Sequence, residues 1–99
     1  MPEKPAYIIV DVDIHNPEIY ESYKQQVVPI VEAFGGEYIA RGGRLDIIQD
    51  DLWRPTRMVL LKFPSMAQAK TFIDSPEYAP VKQMRLENSA GTLVIVEGC

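Results

Sequence analysis

The spacing of apolar residues changes several times along the chain, and each change marks an element. Ala6 to Asp13 (AYIIVDVD) is dense in β-branched residues and reads as a first strand. His15-Asn16-Pro17-Glu18 then carries three helix-start signals: Asn as a cap, Pro at the first helical position, and Glu at the positive end of the dipole. A helix is expected from Pro17. Ile19, Tyr23, Val27, Ile30 and Phe34 recur at three- and four-residue spacing and make one apolar face. Pro29 sits inside that helix, where a proline removes a backbone hydrogen bond and costs ~3 kcal/mol. A kink or an early end is expected there. Gly35-Gly36 supplies a left-handed stop.

Glu37 to Gly42 (EYIARG) reads as the second strand, with Leu45 to Ile48 a candidate extension. Asp50-Asp51 and Arg54-Pro55 mark a turn. Arg57 to Phe63 (RMVLLKF) is the third strand. Ser65-Met66-Ala67-Gln68 fits a capping box, so a second helix should follow to about Asp74. Ser75-Pro76-Glu77 repeats the earlier start signal and predicts a short further helix to about Leu86. Asn88 to Gly91 reads as a loop, and Thr92 to Glu97 (TLVIVE) as the fourth strand.

The order is β-α-β-β-α-β. Two right-handed crossovers joined by a hairpin give the ferredoxin-like α+β fold: a four-stranded antiparallel sheet with its helices on one face. The open face of such a sheet should be polar at alternate positions. Here both faces are apolar. The first strand sets Ala6, Ile8, Val10 and Val12 against Tyr7 and Ile9. The third sets Val59, Leu61 and Phe63 against Met58 and Leu60, and the fourth sets Val94 and Val96 against Leu93 and Ile95. No chain is left over to cover the second face, so a second copy is expected to cover it, as a homodimer. Trp53, in the loop before the third strand, is a candidate dimer contact.

Composition narrows the function classes. The 99 residues are one domain's worth, burying about two-thirds of the unfolded surface. The net charge of −4 and the lack of a basic stripe argue against nucleic acid as a partner. Cys99 is the single cysteine, which excludes an internal disulfide and a cysteine-based zinc site. Nothing resembles a signal peptide or an apolar run of membrane-spanning length, so a cytoplasmic protein without a membrane partner is expected. Phosphate-binding glycine loops, a nucleophile elbow and metal-ligand spacing are all missing, so neither a metal nor an organic cofactor is expected.

One end of the expected sheet collects most of the polar residues with chemistry: Asp13, His15, Asn16, Arg41, Gly42, Gly43, Arg57, Ser75 and Thr92, followed by Tyr78 and Arg85. Arginines grip carboxylate or phosphate through paired N–H groups, and tyrosines add apolar walls with one hydroxyl each. A pocket built from Tyr23, Arg41, Tyr78 and Arg85 would hold a small aromatic or carboxylated molecule. His15, the only histidine, is the candidate proton shuttle. A plain structural reading stands beside each residue. His15 is equally a loop residue before a cap, Asn16 and Ser75 are caps, and Tyr23 is core. Arg41 and Arg57 are surface partners for Asp11, Asp13 or Glu37, and Tyr78 and Arg85 dock their segment onto the sheet rim.

The segments AYIIVDVDIHNPEIYESY, GGEYIARGG, RMVLLKFPS, SPEY with Arg85 after it, and LVIVEG together resemble the family called domain of unknown function 1330. The resemblance covers nearly the whole chain and is weakest over residues 44–56. It implies the dimeric α+β barrel superfamily, in which two such sheets face each other. Relatives there include cofactor-free monooxygenases, haem-degrading enzymes, isomerases, dehydratases and effector-binding domains. The family's recurrent positions look like Tyr23, Arg41, Ser75, Tyr78 and Arg85 here, which raises those five as substrate-binding residues. His15 stands where similar sequences often carry another polar residue, which lowers it as a catalyst.

Three functions follow as expectations. The first is a small enzyme without metal or organic cofactor, acting on a carboxylated or aromatic metabolite held by Arg41 and Arg85. The second is a non-catalytic small-molecule-binding or stress-related module. The third is a haem-binding protein with His15 as axial ligand.

Overall fold

The computed structural model of the protein describes residues 3–99. Its elements are β1 (Ala6–Ile14), α1 (Pro17–Ala33), β2 (Glu37–Arg41), β3 (Met58–Phe63), α2 (Met66–Ile73), α3 (Ala79–Asn88) and β4 (Ser89–Glu97). The strands form one antiparallel sheet in the order β2-β3-β1-β4, the ferredoxin-like arrangement. Period-two alternation decides which side meets the helices. Ala6, Ile8, Val10 and Val12 of β1 and Val59, Leu61 and Phe63 of β3 are buried beneath them. Phe72 of α2 joins this layer, stacked on Phe63 and Tyr78 with ring centroids 5.3 and 4.5 Å away.

α1 begins as its sequence requires. The Ile19 N–H donates to Asn16 Oδ1 at 3.3 Å, and Pro17 takes a position that needs no donor. The expected break at Pro29 does not occur, and the helix continues to Ala33. Pro29 faces solvent, and so does Gln25, whose carbonyl loses its helical partner, so water can satisfy the group that the proline orphans. The helix stops at Gly35, where φ is +84°. The Gly36 N–H reaches Val31 O at 2.9 Å and the Gly35 N–H reaches Glu32 O at 3.0 Å, a complete Schellman motif. The buried face of α1 is Tyr20, Tyr23, Val27 and Val31. Ile19, expected on that face, is instead an exposed neighbour of the Tyr20 position.

Three local expectations need correction. Leu45 to Ile48 does not extend β2, since residues 42–57 contain no strand. Asp11 explains how that segment is held. Its carboxylate accepts from Trp53 Nε1 at 2.9 Å and from the Thr56 and Arg57 N–H groups at 2.8 and 3.1 Å. α3 starts at Ala79, later than Ser75-Pro76 suggested, because Ser75 closes a separate turn. Its Oγ donates to Phe72 O at 2.8 Å and accepts from the Tyr78 N–H at 3.2 Å. β4 begins at Ser89 directly after α3, with no intervening loop, because Ile14, Asp13 and Val12 extend the β1 ladder to meet Ser89, Ala90 and Gly91. Ser65 caps α2 as expected, but Gln68 donates its side chain to Phe34 O at 2.8 Å and so ties α2 to the end of α1.

Asp11→Ala removes the acceptor for three donors on the 42–57 segment. Trypsin cleavage after Arg44 should then accelerate by about tenfold or more, since a hydrogen bond to a carboxylate contributes roughly 1.5–3 kcal/mol. Unchanged cleavage kinetics in timed digests would show that the segment is held by other contacts.

Candidate functional site

β2 is the edge strand that brings side chains into the space beneath the helices, and it does so with an irregularity. Tyr38 pairs with Leu61, Ala40 with Leu60 and Arg41 with Val59, so Ile39 is an extra residue in a bulge. Plain alternation would turn Arg41 away from Tyr38. The bulge puts both on the helix-covered side, where the Arg41 guanidinium lies 4.9 Å from the Tyr38 ring centroid.

Between that side of the sheet and α1, α2 and α3 lies a narrow cavity. Ile8, Val10, Val27, Val59, Leu61 and Leu93 make its apolar floor and walls. Tyr20, Tyr23, Tyr38 and Tyr78 bring phenols to it, and Arg41, Arg57, Arg85 and Lys24 bring cations. The space open to water centres is about 40 Å³, against about 500 Å³ of atom-free space when the open mouth is counted. A single water needs about 10–15 Å³ on the first measure, so the enclosed space is small and a ligand larger than a few waters must extend into the open mouth.

Tyr20, Tyr23 and Tyr78 are buried and Tyr38 is half-buried. Tyr23 and Tyr78, from α1 and the turn before α3, meet hydroxyl to hydroxyl at 3.1 Å. Arg85 Nε donates to the Tyr78 hydroxyl at 3.4 Å, one α-helical stretch further on. The tilted rings of Tyr20 and Tyr23 sit 5.0 Å apart, and the Arg57 guanidinium lies 5.8 Å from the Tyr20 centroid. A hydrogen count follows. Two phenol hydrogens serve one Tyr–Tyr bond, and Arg85 contributes a donor, not an acceptor. One phenol hydrogen therefore remains for an oxygen lying in the cavity.

Burial keeps Tyr20, Tyr23 and Tyr38 neutral. It pushes Tyr23 far above the ordinary tyrosine range, helped by the adjacent Tyr78 hydroxyl. Burial raises Tyr20 against the opposing charges of Arg57 and Arg85, and raises Tyr38 to about 12 against Arg41. The phenols therefore do not neutralise the cations. Among the described residues the close acid–base side-chain pairs are His15–Asp13, Lys24–Glu21 and Arg54–Asp50, so the guanidinium groups of Arg41, Arg57 and Arg85 have no carboxylate partner. Neither carboxylate nor imidazole lines the cavity.

Of the residues singled out in the sequence, the structure gathers Tyr23, Arg41, Arg57, Tyr78 and Arg85 around one cavity. Ser75 is buried nearby with its hydroxyl committed to the backbone of Phe72 and Tyr78, so its observed contacts are those of a turn. His15 stands apart, its exposed ring 3.9 Å from Asp13, and Asn16 is occupied as the α1 cap. Tyr20 and Tyr38 were missed. Tyr20 lies three residues before Tyr23 and could have been found from helical spacing, whereas Tyr38 depends on a bulge that leaves no local signal.

The fold places the chain in the class of ferredoxin-like α+β domains, with this cavity between its sheet and its helices. It belongs to the Domain of unknown function (DUF1330) family, whose model matches residues 5–99. No curated protein matches the sequence. A protein of unknown function from Rhodopseudomonas palustris is similar in structure, with a TM-score of 0.76 at 19% identity over 98% of this chain and 84% of that one. SnoaB, a cofactor-independent oxygenase from Streptomyces nogalater, aligns with a TM-score of 0.66 at 10% identity over 97% and 94% of the two chains. A putative antibiotic biosynthesis monooxygenase from Nitrosomonas europaea aligns at 0.57 and 19% identity over 99% and 92%. These likenesses establish a shared fold.

The raised phenols make folding sensitive to alkali. Above the unfolded tyrosine value near pH 10, the unfolded state releases protons that the folded state keeps, so stability falls as pH rises. Each strongly shifted tyrosine contributes a slope of about 1.4 kcal/mol per pH unit, and the Tyr38 share levels off above about 12. Urea unfolding at pH 9, 10 and 11 should show this decline, shallower in Tyr23→Phe. Equal slopes in the two proteins would mean that Tyr23 ionises normally.

Proposed function

We propose that the cavity receives a small aromatic or carboxylated anion and stabilises negative charge on its oxygen, the chemistry of a small cofactor-free enzyme. The observation that carries this reading is uncompensated positive charge beside neutral phenols over an apolar floor. Isolated arginines without carboxylates favour an anionic ligand. An apolar floor favours an aromatic or aliphatic body, and the spare phenol hydrogen favours an oxygen that accepts. Arg41 and Arg85 hold the anion, and Tyr23 and Tyr78 line the pocket and supply the hydrogen bond. Since the lining offers no carboxylate or imidazole, the protein's contribution is charge stabilisation at oxygen rather than general-base catalysis. The fold shared with an oxygenase that works without cofactor is consistent with that chemistry.

The working unit in this proposal is a homodimer. Tyr7, Ile9, Met58, Leu60, Val94 and Val96 form an apolar surface on the sheet side away from the helices, with Val94 and Val96 still 48% and 47% exposed. Trp53 lines a depression on that side together with Ile9, Met58 and Val94. A second copy facing the first would cover this surface. Native mass spectrometry should find a dimer at micromolar concentration, and Leu60→Asp with Val94→Asp should convert it to a folded monomer. A wild-type monomer would remove the dimer from the proposal.

Calorimetric titration tests the ligand class. Benzoate should bind, and benzylamine, of similar shape and opposite charge, should not. Arg85→Gln should weaken benzoate roughly ten- to a hundredfold. Equal binding of both probes, or of neither, would sink the reading of the cavity as an anion site.

A further inference from the structure

We infer that Arg57 is a pre-positioned anion-binding residue of this cavity and that Gly42 is the residue that positions it; the inference rests on the anion-binding reading above. Three supports fix Arg57 before any ligand arrives. At its root, its N–H donates to the Asp11 carboxylate at 3.1 Å, and its carbonyl accepts from the Val12 N–H at 3.0 Å. Along its length, the guanidinium lies over the Tyr20 ring. At its head it occupies the space left by the missing side chain of Gly42.

Gly42 is held in the left-handed region at φ +66°, with its N–H on Met58 O at 2.8 Å. A Cβ built there would stand 2.7 Å from Arg57 Nε and Nη2 and 2.8 Å from Cζ. Those atoms belong to the end of a flexible side chain, so a Cβ displaces the guanidinium rather than the backbone. The adjacent Gly43 differs: a Cβ there meets nothing within 4 Å. Arg57 thus has a shaped seat beside the cavity, yet its guanidinium has no carboxylate partner among the described residues. A guanidinium held this way loses little side-chain freedom on gripping an oxyanion, which is the advantage of preorganisation.

Benzoate titration of a small variant set tests the assignment. Arg57→Gln should weaken binding by about tenfold or more. Gly42→Ala and Gly42→Asn should each weaken it comparably while leaving the fold intact by circular dichroism. Asparagine tolerates left-handed backbone better than alanine, so a loss common to both reports the Cβ and not strain. Gly43→Ala and Arg54→Gln, outside the seat, should bind as the wild type does. The double variant Gly42→Ala with Arg57→Gln should bind no more weakly than Arg57→Gln alone, because Gly42 acts only through Arg57. A merely structural Gly42 would add its own loss and overturn its positioning role. Wild-type affinity in Arg57→Gln alongside a loss in Arg85→Gln would overturn the inference and keep the anion site. No benzoate binding by the wild type would overturn both.

Discussion

The pairing of two buried hydroxyls, Tyr23 with Tyr78, is the contact on which the rest of the molecule's interior depends. Each phenol carries a polar tip into an apolar layer, where an unsatisfied hydroxyl is costly. By meeting tip to tip at 3.1 Å, the two tyrosines resolve that cost and tie the buried face of α1 to the turn that leads into α3. Their length props those elements apart above the sheet, and the cavity is the space that results. Tyr78 also stacks on Phe72, so the hydroxyl pair is continuous with the aromatic core. The same contact that closes the fold therefore opens the cavity.

Charge follows from that geometry. A core residue of ordinary composition would leave the cavity indifferent to ligand charge. Here Tyr20, Tyr23 and Tyr38 stay neutral through burial, while arginines reach the space from the edge strand β2, from the residue just before β3 and from α3. Three separate stretches of chain supply guanidinium groups, and none brings a carboxylate to the cavity. This asymmetry is notable in a chain with net charge −4, whose many acids lie elsewhere.

Much of the fold was legible because its signals are local. Asn16-Pro17, Gly35-Gly36 and Ser65 act within a single turn of chain, and the alternation in β1 and β3 needs only neighbours. The apolar character of both sheet faces could likewise be read directly. What was hidden depends on distant partners. The phase of α1 turns on whether Ile19 or Tyr20 faces the sheet, and both are apolar enough to serve. Pro29 is harmless only because it faces solvent. Residues 42–57 take their path from Asp11, more than forty positions earlier. The cavity residues named from sequence did converge, but His15 did not join them, since a lone histidine beside a helix cap carries no information about which way it turns.

The bulge at Ile39 has a consequence for reading related chains. Because Ile39 is the supernumerary residue of its strand, its deletion would leave Tyr38 and Arg41 on the same side of the sheet. The spacing between the aromatic and the cation is thus free to differ by one among homologues without altering what either side chain faces. An alignment that treats such a gap as loss of the arginine would misread it, since what the cavity requires is a side of the sheet and not a column position.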